Sequence, residues 1–137
     1  MRLSHSIALL AVFLVVGCGT RPADVEPSLP SLPTYEQFRA QQRSSVFTAS
    51  PDRETTLLTS IGRVHVGLPA YQVVAALGRP DFASVLAPKE STRTTGAEWV
   101  YLLSSQNLDV VNERTDRSLV IYFGPDHRVR RIYRRNL

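Results

Sequence analysis

The spacing of apolar residues changes along this chain, and each change predicts a different kind of element. Ile7 to Val16 is an unbroken apolar run behind Arg2. At about ten residues, roughly 15 Å as a helix, it is well short of the roughly 20 residues that cross a bilayer. The run therefore predicts a signal peptide over residues 1–17 rather than a membrane anchor. Gly19 to Pro33 carries Pro22, Pro27, Pro30 and Pro33 among small polar and acidic residues. Such a stretch cannot build a core and predicts an extended tether of at most roughly 45 Å. Thr34 and Gln37 then have capping-box spacing, with Tyr35 and Phe38 on one face, a candidate short helix that Ala49-Ser50-Pro51 interrupts.

Helical spacing follows. Asp52 and Glu54 precede Leu57, Leu58 and Ile61, which predicts a helix with acids at its positive end, stopped by Gly62. A second helix is predicted over 70–77, opened by Pro69 and closed by Gly78, with Val73, Ala76 and Leu77 turned inward and Val74 at the edge of that stripe. Beyond Asp81 the period falls to two. Glu98 to Leu103 reads as a strand with Trp99, Tyr101 and Leu103 on one face, and Ser118 to Phe123 as a second with Leu119, Ile121 and Phe123 aligned. Gly124-Pro125-Asp126-His127 supplies a turn, and Arg128 to Arg135 a third strand. Val129 and Ile132 are three apart, out of phase for a regular strand, which predicts a bulge or an early end. The polar stretches 81–96 and 104–116 read as loops, although Leu108, Val110 and Val111 would also suit a long hairpin. The expected fold is α+β, with two helices packed on one face of a three-stranded antiparallel sheet, preceded by a signal peptide and a proline-rich tether. Residues 51–137 form the domain, and 18–50 the tether with its candidate helix.

Composition sharpens this picture at one residue. The chain has a single cysteine, Cys18, directly after the apolar run. Val15-Val16-Gly17-Cys18 is similar to the bacterial lipobox, which implies diacylglycerol transfer to the Cys18 thiol, cleavage before it and acylation of the new amino terminus. The chemistry needs a thiol, because no other side chain is nucleophilic enough near neutral pH to form the thioether. A thiol consumed by lipid leaves none for disulfides, zinc–thiolate sites or catalysis. Gly19 stands where an Asp would favour inner-membrane retention, so the expected location is the bacterial cell envelope, on the periplasmic face of the outer membrane.

The 16 basic and 12 acidic residues give a net charge of +4, mild for a nucleic-acid partner, and none is expected. His65 and His127 lie far apart, without metal-ligand spacing. Asp52 and Glu54 suit a helix start, while Asp109, Glu113 and Asp116 fall in an expected loop. There is no nucleophile elbow and no phosphate-cradling glycine run. No catalytic residue, cofactor or metal is therefore predicted, and the chain reads as non-enzymatic. The one charged cluster is Arg128, Arg130, Arg131, Arg134 and Arg135, interleaved with Tyr133. It suits contact with anionic phospholipid or an acidic partner. It equally suits a solvated edge strand whose charges prevent unwanted pairing.

The order of these motifs carries a resemblance. Val66-Gly67-Leu68, then Gln72-Val73 and Leu77-Gly78-Arg79-Pro80, resemble the glycine-led helix of the SmpA/OmlA (BamE-like) family of small outer-membrane lipoproteins. Trp99-Val100-Tyr101 is similar to that family's W-x-Y strand, and Leu119 to Phe123 with Arg128-Val129 to its final hairpin. The match runs from about Ile61 to Tyr133. Pro69 departs from the family's capping Ser or Thr, and Asp126-His127 from its Asp-Gly, which puts His127 at a left-handed turn position. The resemblance implies a non-enzymatic accessory subunit of outer-membrane β-barrel assembly, or of envelope integrity. Such a subunit is lipid-anchored and contacts assembly proteins and anionic phospholipid. The related fold of β-lactamase-inhibitor proteins implies the alternative, a generic periplasmic protein-binding module acting as adaptor or enzyme inhibitor.

Overall fold

A computed structural model describes residues 31–87, 95–110 and 112–137. The signal peptide, Cys18 and its lipobox, nearly all of the proline-rich tether, and Val111 lie outside the described residues. The fold is α+β. Its elements in chain order are α1 (Tyr35–Gln41), β1 (Phe47–Thr48), α2 (Pro51–Ser60), a 3-10 turn (Ile61–Arg63), α3 (Ala70–Leu77), β2 (Phe82–Leu86), β3 (Gly96–Ser105), β4 (Arg117–Phe123) and β5 (Val129–Arg135).

The sheet has five strands, not three. β3, β4 and β5 form an antiparallel meander, and β1 and β2 pair with successive lengths of the other side of β3. The stretch expected to be a loop after Asp81 contains β2, whose Phe82 opposes Val100 and Leu86 opposes Gly96. Its Phe82-Ala83-Ser84-Val85-Leu86 carries apolar residues on both faces of a strand, so the two-residue alternation that marks β3 and β4 is missing. Gly96 is required where β3 begins: a Cβ there would stand 2.0 Å from the Phe123 carbonyl oxygen.

Both faces of the sheet are covered, not one. On one face, α2, the 3-10 turn and α3 set Leu57, Ile61, Val73 and Leu77 against Trp99, Tyr101, Leu103, Leu119, Ile121 and Phe123, the registry expected from alternation. On the other face Phe38 of α1 packs with Phe82, Val100, Leu102, Leu108 and Val120. Phe38 is 5% exposed, with its ring 5.4 Å from Phe82 and 5.5 Å from Phe47. The candidate helix opened by Thr34 is therefore α1, and it packs on the sheet opposite the two helices expected there. The signal was present in β3, where Val100 and Leu102 interrupt the polar phase of the alternation, as they must if both faces are buried. Leu108 extends no hairpin; it is a loop residue buried in this second core.

Local chemistry explains the helix ends. Thr34 and Gln37 form the reciprocal capping box, and the Ser50 hydroxyl accepts from Arg53 N–H ahead of Pro51 at the first position of α2. Gly62 does not stop α2 but lies inside the following 3-10 turn. Pro69 is the N-cap of α3, with no side chain to cap it. The Ala70 N–H is instead taken by the His127 carbonyl at 2.9 Å. Gly78, at φ 76°, ends the helix. Arg53 of α2 meets Asp81 at 2.9 Å, and the same carboxylate oxygen accepts Leu102 N–H at 2.7 Å, so Asp81 ties α2 to the centre of β3. Burial nevertheless raises the Asp81 pKa above its ordinary value, outweighing Arg53 and the Leu102 N–H.

Candidate functional site

The arginine-bearing strand is β5, at an edge of the sheet and hydrogen-bonded to β4 alone. Its first residue is pinned from outside. Gly67 N–H donates to the Val129 carbonyl at 2.8 Å, Val129 N–H to the Leu68 carbonyl at 2.9 Å, and the Arg128 guanidinium to the Gly67 carbonyl at 3.0 Å. The loop that enters α3 thus closes the start of this edge. Beyond it, among the described residues, no strand lies outside β5.

A bulge sets which way the arginines point. Phe123 opposes Val129 but Tyr122 opposes Arg131, so Arg130 is the extra residue. This is the irregularity predicted from Val129 and Ile132: it returns Ile132 to the α2/α3 face, opposite Ile121. The strand does not end early, and runs on to Arg135. Arg134 opposes Leu119 and so shares the α2/α3 face; Arg131, Tyr133 and Arg135 oppose Tyr122, Val120 and Ser118 and share the α1 face. Tyr133 stacks edge-to-face on Tyr122 at 5.5 Å.

The five arginines that read as one cluster therefore have distinct surroundings. Arg130 is held at 2.8 Å by Asp126, four residues back, and Arg135 at 2.9 Å by Glu113. Partial desolvation pushes the Asp126 carboxyl up, but the Arg128 N–H and the Arg130 charge outweigh it and hold it below the usual range. The Arg128 guanidinium donates one hydrogen bond, to the Gly67 carbonyl, and makes no ion pair among the described residues. Arg131 and Arg134 are exposed and make no ion pair among the described residues; Arg131 reaches only the Tyr133 hydroxyl, at 3.5 Å. Since these two lie on opposite faces, only a surface approaching the edge of the sheet meets both.

The remaining sequence candidates separate. Glu54 pairs with Arg117 at 2.7 Å and Asp109 with Arg39 at 2.8 Å, binding α2 and α1 to the sheet and its loop. His65 is exposed beside the Val66 carbonyl, and His127 holds the left-handed turn position at φ 55°. Among the described residues, no group of three or more His, Cys, Asp or Glu could hold a metal ion. No helix among them is long and apolar enough to cross a membrane. Sequence reasoning missed Asp116, which is not a loop carboxylate in water but 6% exposed, beneath the second core. Only the spacing of Asn112 and Asp116, whose side chain and backbone close a tight turn, hinted at it. Compared with known proteins, the chain matches no family model, no curated protein and no solved structure.

Proposed function

We propose that this chain is a non-enzymatic envelope lipoprotein, anchored through Cys18, that serves as an accessory scaffold in outer-membrane β-barrel assembly. Within it, α2 and α3 over β3, β4 and β5 correspond to the two-helix, three-strand unit implied by the SmpA/OmlA resemblance. α1, β1 and β2 are additions to that unit. The observation that carries the reading is the position of the arginine edge relative to the point where the described chain enters the fold. The described chain enters beside β2, where the Pro33 carbonyl accepts Ala83 N–H and Arg79 holds the Ser31 carbonyl. β5 is the opposite edge, three strand spacings or roughly 14 Å away. A lipid on Cys18 and a tether of about 12 residues, reaching roughly 35 Å, keep that edge close to the membrane while leaving it free to turn. Individually weak contacts by Arg131 and Arg134 then act at high effective concentration, on anionic phospholipid or an acidic protein surface.

A second reading, a generic periplasmic adaptor or inhibitor, draws on α1 and β1, which bury one face of the sheet and lie outside the residues that carry the resemblance. Affinity purification of the lipidated chain after crosslinking in cells separates the two. Recovery of the central barrel-assembly protein with its tetratricopeptide lipoprotein partner supports the scaffold, and Cys18→Ser should abolish both palmitate labelling and that recovery. Recovery of an unrelated envelope enzyme supports the adaptor. Normal maturation and labelling of Cys18→Ser refutes the anchor on which the scaffold reading depends.

A further inference from the structure

Beneath α1, on the face of the sheet away from α2 and α3, lies a cavity of about 280 Å³. Its apolar wall is built by Tyr35, Phe82, Val100, Leu102 and Leu108. Its charged lining is lopsided, with Glu98, Glu113 and Asp116 against Arg135 alone. Arg135 is already committed to Glu113 at 2.9 Å. Among the described residues, Glu98 accepts only from the Tyr122 hydroxyl, at 3.3 Å.

Asp116 is the decisive group. One carboxylate oxygen, Oδ2, accepts Asn112 N–H at 3.0 Å, while Oδ1 is buried with no hydrogen-bond partner among the described residues. A carboxylate oxygen taken out of water without a donor is destabilising, and a cationic N–H donor is its strongest complement. The turn bearing Asp116 cannot readily rotate to expose it, because the Asn136 amide donates to the carbonyls of Arg114 at 3.1 Å and Asp116 at 2.9 Å. Nor can Tyr35 supply the donor, since its hydroxyl donates to the Leu108 carbonyl. The field of the carboxylate crosses the cavity: the Tyr35 pKa is raised first by burial and next by the Asp116 charge.

We propose that this cavity binds a small organic monocation, an alkyl ammonium or alkyl guanidinium, with its charged head at Asp116 and its carbon chain along Leu102 and Leu108. The volume falls just below the roughly 300–1,000 Å³ of sites for drug-sized ligands, which selects a fragment over a nucleotide or large cofactor. A hard metal ion is a poorer match, because it asks for six or more oxygen ligands and the wall here is apolar. The site shares Arg135 with the arginine edge but does not rest on the scaffold reading.

The test is calorimetric titration of the full chain, held in neutral phosphatidylcholine vesicles, with n-butylguanidinium and with its uncharged isostere n-butylurea. The guanidinium should bind saturably with a Kd of about 1 mM or tighter, and the urea at least tenfold more weakly. Asp116→Asn should weaken guanidinium binding at least tenfold, whereas Asp52→Asn, which changes an exposed acid at the start of α2 outside the cavity lining, should leave it unaltered. Ser84 is exposed on the cavity lining, so Ser84→Trp should block binding at an unchanged unfolding temperature and exclude misfolding as the cause. The proposal is overturned by any of three results: no saturable binding to the unaltered chain, equal binding of the urea, or full binding retained in either Asp116→Asn or Ser84→Trp.

Discussion

Replacing Phe38 by Ala tests whether α1 belongs to the packed fold or merely decorates a tether. The side chain is buried, with its ring between those of Phe47 and Phe82 at 5.5 and 5.4 Å. Truncating a buried Phe to Ala costs about 3–5 kcal/mol, the lost transfer energy plus the cavity left behind. The two aromatic contacts add to what is lost. α1 is a helix of seven residues at the periphery, so it can partly collapse onto the gap, and the expected loss is near the lower end, about 3 kcal/mol. A domain of about 100 residues loses roughly 4–8 °C of melting temperature per kcal/mol, so Phe38→Ala should melt roughly 12–24 °C lower. The assay is urea and thermal unfolding of the chain from Gly19 onward, followed by circular dichroism and tryptophan fluorescence. Trp99 lies on the α2/α3 face, so a coincident shift of both probes shows that α1 is coupled to the whole domain. Val46→Ala, at a position 57% exposed, should shift neither. A loss below about 0.5 kcal/mol for Phe38→Ala, the range of surface substitutions, would return residues 34–50 to the tether.

Two further perturbations address charge. The Asp81 pKa is raised in the folded state above 3.8, so its contribution to stability is fully present below that value and is lost as pH rises through the raised folded value. Relative to Asp81→Asn, the unaltered chain should therefore gain stability as pH falls from 7 toward about 4, read from urea midpoints; a relative loss over that interval contradicts the balance of burial over pairing. At the arginine edge, the lipid-free chain should co-sediment weakly with phosphatidylglycerol vesicles and be released by salt, since each arginine near an anionic surface contributes about 1 kcal/mol, screened over roughly 8 Å. Neutralising Arg131 and Arg134 together should weaken that binding more than neutralising Arg130 and Arg135, with less than about 0.5 kcal/mol change in stability. Equal sedimentation of all forms would leave the arginines as a protective edge.

The α2/α3 half of the fold was legible because alternation and helical spacing agree there. Trp99, Tyr101, Leu119 and Ile121 meet Val73 and Leu77 as their phases require, and even the bulge at Arg130 was visible as a spacing of three. The opposite half was hidden because its signals are mixed. Phe82 to Leu86 has no polar phase, and Phe38 lies in a helix of seven residues behind a run of prolines. Long-range pairing with β3 decides both, and local propensity is silent about it. The arginine cluster was legible as composition but not as geometry, because one bulge and two ion pairs determine which charges remain available. Asp116 was illegible for a related reason: it lies in one cavity with Leu108 of its own loop and with Tyr35 from a distant part of the chain.

If the chain acts as proposed, it is lipid-anchored and contacts barrel-assembly proteins through the open edge of β5. A photo-crosslinking amino acid placed at Arg134 in the full, lipidated chain in living cells tests it most directly, with the same group at Leu58, exposed on α2, as the comparison. The expected result is a discrete adduct between position 134 and a component of the barrel-assembly machinery, absent from position 58 and lost with Cys18→Ser. Adducts from position 58 but none from 134, or adducts from 134 that persist unchanged without Cys18, would contradict it.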